Sequence, residues 1–289
     1  MSNILLTGIA TLDIINQVDH YPVEDSEIRA LNQIIRCGGN ACNSAIVLQQ
    51  LGLSASLLTN RADDVNASQI FTELARRSIN TTLCPVQKSS ITPTSYITSN
   101  TQNGSRSIIH YRNLEELSAD YFTKVDLSDY DWLHFEARNC QQLELMLQHA
   151  KAFNKPVSIE LEKDREHIDL IIPFADVLLL SKPFANSHGF DNAATCIEHF
   201  SSLYTDKMIT CTWGDQGAWL YADSQIHHQL AFVIDKPVET LGAGDTFNAG
   251  FISSIINNMS PTVALQFACQ LAANKCLQSG FDKIIIPAE

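Results

Sequence analysis

Apolar positions in the second half of the chain come in short runs, and amphipathic stretches separate many of them. Strands are predicted at 132–135, 157–160, 177–180, 207–211 and 218–221, with helices at 140–153 and 192–203 among them. Two more helices are expected at 243–257 and 261–278. This alternation builds a mostly parallel central sheet flanked by helices on both faces. Ligands of such sheets bind beyond the carboxyl ends of the strands. The first half begins with an almost wholly apolar stretch, 4–15, read as one buried strand closed by Asp13. Gly38-Gly39-Asn40 then opens a helix that is apolar nearly all round, with Ala45, Ile46, Val47, Leu48 and Leu51, and Gly52 stops it. A strand at 56–59 and an amphipathic helix at 65–77 follow.

Two segments carry a different rhythm. In 26–37, Ile28, Leu31 and Ile34 stand among polar residues. In 92–111, two β-rich runs flank Asn103-Gly104, a hairpin signal. Both read as strands exposed on one face, so they are expected to form a small separate sheet. No repeat or linker interrupts the chain, and its 289 residues suit one main domain, 1–289, with that sheet attached.

Composition narrows the function classes. A net charge of −13 argues against a general affinity for nucleic acid or anionic membranes, which need a basic face. No apolar run of about 18 residues is present. The N-terminus enters a strand pattern with no basic leader before it, so a cytoplasmic location is expected. The eight cysteines form no C-x-x-C pair and read as reduced, buried thiols. His227-His228 is a poor chelate and reads as a solvated strand or turn.

The chemistry concentrates in Glu239-Thr240-Leu241-Gly242-Ala243-Gly244-Asp245-Thr246-Phe247-Asn248. Its glycines let backbone approach a ligand, and a helix beginning there points N–H groups and a positive dipole end at an anion. Asp245, at the lip, can take a proton from an alcohol while Gly242, Ala243 and Gly244 stabilise charge on a transferred phosphoryl group. A plain N-cap role for Asp245 stays open on the residues alone. In Gly38-Gly39-Asn40-Ala41-Cys42-Asn43, two amides three residues apart share a side of a helical turn, which suits polyol hydroxyls, as does the early carboxylate Asp13. A helix cap for Asn40 and a strand-end turn for Asp13 are the simpler alternatives.

Together these motifs resemble the ribokinase-like (pfkB) carbohydrate kinases, and within them the ketohexokinase branch. The resemblance rests on Tyr21-Pro22-x-Glu24-Asp25-Ser26-Glu27-Ile28-Arg29, the Gly38 to Ser44 run, Gly104-Ser105-Arg106 and Lys124-Val125-Asp126-Leu127. It continues through Glu136-x-Arg138-Asn139, Glu162-Lys163-x-Arg165-Glu166, Thr240 to Asn248 and Gly280-Phe281-Asp282, nearly the whole chain. It implies a Rossmann-like ribokinase fold with a β-sheet lid from about 16–36 and 88–112. It also implies ATP and Mg²⁺ as cofactors and a homodimer clasped through the lids. By motif, Asp13, Gly39, Asn40 and Asn43 would hold the sugar, Asp25 would reach the neighbouring subunit's sugar, and Arg106 would lie near the sugar or phosphate. Asp245 would be the base. Trp213, Gly214 and Gly217 resemble an ATP-binding turn; with Gly242, Gly244 and Asn274 they would make the nucleotide site. The Asn-x-x-Glu pattern of many members is replaced by Ser181-Lys182-Pro183-Phe184-Ala185, so no Mg²⁺ ligand follows.

The implied activity is transfer of the ATP γ-phosphate to a ketohexose, fructose to fructose 1-phosphate. Another kinase of the family (6-phosphorylating fructokinase, ribokinase or nucleoside kinase) and a non-catalytic sugar- or nucleotide-binding regulator are the alternatives. A dinucleotide dehydrogenase or a P-loop enzyme is disfavoured, since neither glycine fingerprint is present.

Overall fold

The apolar stretch at the N-terminus is two strands rather than one, β1 (Asn3–Thr7) and β2 (Thr11–Val18), in the computed structural model, which describes residues 2–284. The break is at Gly8. A side chain there would press within 2.5 Å of Ala41 Cβ and of the Glu136 carboxylate, and the next amide, Ile9 N, donates to Glu136 Oε2 at 3.0 Å. The chain turns over that carboxylate and leaves one sheet for another, which hydrophobicity alone does not reveal.

The elements continue as β3 (Asn32–Gly38), α1 (Asn40–Gln50), β4 (Ser54–Leu58), β5 (Arg61–Ala62), α2 (Val65–Arg76) and β6 (Val86–Gln87). Next come β7 (Thr94–Asn100), β8 (Arg106–Tyr111), α3 (Ala119–Phe122), β9 (Trp132–Glu136), α4 (Cys140–Lys151) and β10 (Val157–Leu161). They are followed by β11 (Val177–Ser181), α5 (Lys182–Ser187), α6 (Ala193–Leu203), β12 (Met208–Thr212), β13 (Ala218–Ala222) and β14 (Gln225–Gln229). The last two are α7 (Ala243–Ile256) and α8 (Pro261–Cys276).

The large sheet has the order β14-β13-β12-β11-β10-β9-β1-β4. Its strands β4, β1 and β9 to β12 are parallel, and an antiparallel hairpin, β13–β14, extends one edge. Every residue of β9 and β10 is buried, as expected of a parallel strand covered on both faces. Alternate side chains feed two cores. Ile4, Leu6, Val177 and Leu179 pack with Ile46, Phe247, Phe251 and Leu271. Leu5, Phe135, Ile159, Leu178 and Leu180 pack with Phe122, Leu147, Phe184 and Phe200. All eight cysteines are free and buried. His228 lies on the edge strand β14, stacked 3.7 Å from the Trp219 ring, with Nε2 2.9 Å from the Gln216 carbonyl oxygen.

The small sheet has the order β3-β2-β7-β8, with β2 and β7 parallel and both outer pairs antiparallel. Residues 26–31, expected within a strand region, form an irregular loop, and the pairing starts at Asn32. The hairpin at Asn103-Gly104 joins β7 to β8, and Gly104 has φ +70° as that turn requires. No described helix is long and apolar enough to cross a membrane.

Candidate active site

The carboxyl ends of β9 and β10 and the first turns of α1 and α7 converge on one cluster of polar groups. Asp245 is the third residue of α7, and the cap position belongs to Gly242. Its side chain is buried and Oδ2 accepts a hydrogen bond from Asn43 Nδ2 at 2.7 Å. Ser44 Oγ donates to the Asp245 carbonyl at 3.2 Å, so α1 and α7 are joined at their starts. Asn40 is the first residue of α1, one past the capping position, and its amide donates to Glu160 Oε1 at 3.2 Å and Glu162 Oε2 at 3.3 Å. Asn248, one turn along α7, donates to the same Glu160 oxygen at 3.0 Å. Asp13 lies inside β2 and accepts from Thr11 Oγ1 at 2.8 Å. Gly38 and Gly39 leave room for the protein itself. A side chain on Gly38 would collide with the Asp13 carboxylate, and one on Gly39, at φ +100°, with the Ile9 carbonyl.

The electrostatics follow from this crowding. Burial pushes the Asp245 carboxyl up to about 7, and the charges of Glu162, Glu136 and Asp13 add to the rise, against the stabilising amide of Asn43. Glu160 is raised well above the carboxylate range by burial and then by Asp245, Glu136 and Glu162. Asp13 is raised by burial, although the hydroxyls of Thr11 and Ser95 and the charge of Arg36 oppose it. Asn43 Oδ1 and Glu160 Oε2 are buried with no hydrogen-bond partner among the described residues. Buried polar atoms of this kind ordinarily find a partner, so both oxygens are available to a polar ligand or to water.

Beside this cluster lies a cavity of about 650 Å³. Its walls are largely apolar, with Phe232, Val233, Phe247, Cys269 and Ala272, and it is rimmed by Arg106, Thr212, Asp215 and Thr240. Ala243 and Gly244 line it, so the start of α7 separates the cavity from the carboxylate cluster. A side chain on Gly244 would meet nothing within 4 Å, which leaves its backbone open to the cavity. Ala243 N is spent on the Thr240 carbonyl at 3.3 Å, whereas the amides of Gly244 and Asp245 belong to a first turn with no intrahelical acceptor. Gly242 has φ +81°, and the Phe281 ring occupies the space its side chain would need. The arrangement offers an apolar slot for a base, a helix start for phosphates and a carboxylate for an alcohol, in that order.

The other expected residues divide. Arg106 reaches from β8 to donate from Nη1 to Thr240 Oγ1 at 2.8 Å, which brings a guanidinium from the small sheet to the cavity rim. Gly214 and Gly217 line the cavity in the turn between β12 and β13. A side chain on Gly217, at φ +88°, would strike the Gln229 carbonyl, so its glycine first serves the chain's own packing. Trp213 N closes that turn on the Gly217 carbonyl at 2.8 Å, but the ring is buried in the core below, under Lys182, and is not part of the cavity wall. Asn274 stands on α8 outside the wall made by Ala272, Ala273 and Cys276. Asp25 lies on the exposed loop between β2 and β3, with φ +58°. No group of three or more His, Cys, Asp or Glu among the described residues is arranged to hold a metal ion.

Glu160 and Asn248 escaped the sequence reading as site residues. Glu136 and Glu160 lie at or next to the carboxyl ends of adjacent parallel strands and are register partners, and a carboxylate near a strand end in an α/β sheet was the available signal.

The family described as pfkB family carbohydrate kinase matches residues 1–287. The chain belongs to that family. It is an ATP-dependent sugar kinase with the ribokinase fold. It is 38% identical to ketohexokinase of Mus musculus over 293 residues, covering 98% of each chain. It is 26% identical to a fructosamine kinase of Bacillus subtilis over 246 residues, 83% of each. Among solved structures, ribokinase of Thermotoga maritima superposes with a TM-score of 0.80 at 22% identity, covering 100% of this chain and 97% of that one. Arabidopsis thaliana ribokinase complexed with ribose and ATP gives 0.81 at 18%, covering 96% and 93%. In this kinase the apolar cavity and the carboxylate cluster are the two halves of the candidate active site.

Proposed function

We propose that the enzyme transfers the γ-phosphate of ATP to a ketohexose, converting fructose to fructose 1-phosphate. The observation that carries the proposal is the Asn43–Asp245 pair, held at 2.7 Å where the start of α7 meets the 650 Å³ cavity. The 38% identity to mouse ketohexokinase supports the choice of sugar.

In this reading the adenine fills the apolar cavity between the 214–217 turn and α8. The phosphates run to the start of α7, where the Gly244 and Asp245 amides and Arg106 meet them. Asp13, Gly39, Asn40 and Asn43 hold the sugar hydroxyls. Asp245 accepts the proton of the attacking hydroxyl as the O–P bond forms and the bond to ADP breaks. Mg²⁺ bound to the nucleotide phosphates would supply neutralisation of their charge. Its ligands are not assigned to this chain, in keeping with the missing Asn-x-x-Glu pattern.

The enzyme further acts as a homodimer clasped through its small sheets, with Asp25 delivered to the second copy's sugar. Support comes from a register row of apolar residues across all four strands, Ile35–Ile14–Tyr96–Ile109. Ile35, Tyr96 and Ile109 are exposed, Ile109 by 73%. Such a row on one face of a sheet is costly in water and marks an interaction surface.

A coupled ADP-release screen over ketoses, aldoses and nucleosides, followed by positional analysis of the product, tests the activity. Fructose is expected as the best acceptor and the 1-phosphate as product. A 6-phosphate, or a preference for ribose or a nucleoside, refutes the ketohexose assignment; failure to release ADP with any acceptor refutes catalysis.

A further inference from the structure

A second buried ionic cluster lies directly behind the turn at the start of α7, outside both halves of the site. Glu239 precedes Thr240, and its carboxylate takes the Arg36 guanidinium in two-point contact, Nη1 to Oε2 at 3.2 Å and Nη2 to Oε1. Ser279 Oγ donates to Oε2 at 2.9 Å. The Lys275 ammonium lies 3.4 Å from Oε1 and 3.4 Å from the Glu239 main-chain oxygen. Lys275 is 0% exposed. The Phe281 ring sits under both cations, 5.2 Å from Lys275 Nζ and 6.0 Å from the Arg36 guanidinium carbon, and is the same ring that fills the space beside Gly242. Val238 N and Glu239 N both donate to the Cys276 carbonyl, at 2.8 and 3.3 Å.

One carboxylate therefore ties together three elements: β3 through Arg36, the approach to α7 and the end of α8. Arg36 is the register partner of Asp13 and stands two residues before Gly38, so the tie begins on the strand that pairs with Asp13 and leads into the Gly39–Asn43 segment. Apolar side chains of equal volume would serve stability as well as these buried ions, often better. What the ions add is direction, because a two-point guanidinium contact and a lysine aimed at a main-chain oxygen permit one arrangement of the turn.

We propose that Glu239, clamped by Lys275 and Arg36, is a positioning residue that aims the 240–244 turn at the transferred phosphate and locks that turn to the strand leading into the Gly39–Asn43 segment. This rests on reading the turn as the phosphate site. The cluster touches neither substrate; it acts on kcat through the placement of the Gly244 and Asp245 amides and of the Asp245 carboxylate.

The test compares Glu239→Gln, Lys275→Met, Arg36→Lys and the double variant Glu239→Gln/Lys275→Met with the wild-type chain. Melting temperature, KM for the preferred sugar, Kd for ADP by calorimetry and kcat per folded molecule are measured for each. Glu239→Gln and Lys275→Met are expected to lose about 10- to 100-fold in kcat, the scale of a small misplacement of catalytic groups. The sugar KM and the ADP Kd are expected to stay within about threefold. The double variant should be no slower than the slower single, since both act through one tie. Arg36→Lys, which keeps the charge but loses the two-point contact, should also lower kcat with the sugar KM and the ADP Kd little changed. A kcat per folded molecule within about twofold of wild type in Glu239→Gln overturns the proposal, however far the melting temperature falls. Should Lys275→Met not fold, Glu239→Gln and Arg36→Lys decide alone. A wild-type rate in Asp245→Asn instead sinks the reading of the turn, because that variant leaves the cluster intact.

Discussion

Asp245 carries two consequences that a surface aspartate would not. As the proposed base it must be ionised, and with its carboxyl pushed up to about 7 it is half protonated near neutral pH. The value of kcat/KM is therefore expected to rise with pH through a limb near 7, about tenfold per pH unit below it. Asp245→Asn should cut kcat by at least about 100-fold while retaining ADP binding; a steady-state pH profile and calorimetry check both. The same shift has a stability side. A carboxyl raised above its unfolded value of 3.8 stabilises the fold fully below about pH 4 and loses that contribution as pH rises through about 7. The melting temperature of Asp245→Asn relative to wild type should therefore increase from pH 5 to pH 8, by scanning calorimetry in matched buffers. Asp245 could be singled out from Gly-Ala-Gly-Asp. For its buried neighbours Glu136 and Glu160 the sequence offered only a place near predicted strand ends, since their closeness comes from two strands pairing in register.

At the level of elements, the start of α7 separates two kinds of glycine that look alike in the sequence. Gly242 has φ +81° and abuts the Phe281 ring, so an alanine there strains the backbone and displaces the ring. Gly244 has open space where a side chain would go. Gly242→Ala is accordingly expected to cost about 2 kcal/mol and to lower the melting temperature by several degrees. Gly244→Ala should melt within about 1 °C of wild type, as exposed sites usually do, and instead weaken ADP binding by placing a methyl group in the phosphate path. Denaturation and calorimetry on the two variants separate these outcomes. The longer helices were legible from their apolar periodicity and their Gly and Pro boundaries, whereas the short α3 and α5 were not. The reason for Gly217 was not, because the obstacle to a side chain is the Gln229 carbonyl on the neighbouring strand β14.

The large and the small sheet meet at the candidate active site, beside a minor two-stranded sheet of β5 and β6, and Arg106 and Arg36 link the small sheet to the approach to α7. The exposed row on the small sheet's other face leads to the proposed dimer. Tyr96→Lys with Ile109→Lys is expected to convert a dimer of about 64 kDa, twice the 32.0 kDa chain, into a monomer by light scattering. Like charges placed opposite each other on β7 and β8 disfavour that face meeting a second copy. If Asp25 completes the neighbour's sugar site, the sugar KM should rise in the monomer while the ADP Kd stays put.

Most strands of the central sheet, the longer helices and the glycine-rich turns were determined locally, by periodicity and by short motifs whose backbone needs are stereotyped, and the reaction class followed from the resemblance those motifs carry. Local pattern could not show that the chain changes sheets at Gly8, that Trp213 turns its ring into the core, or that Arg36, Glu239 and Lys275 meet. Each of those depends on residues more than a hundred positions apart or on opposite sides of a strand, where only the packed structure decides which groups share a dry interior and which face a ligand.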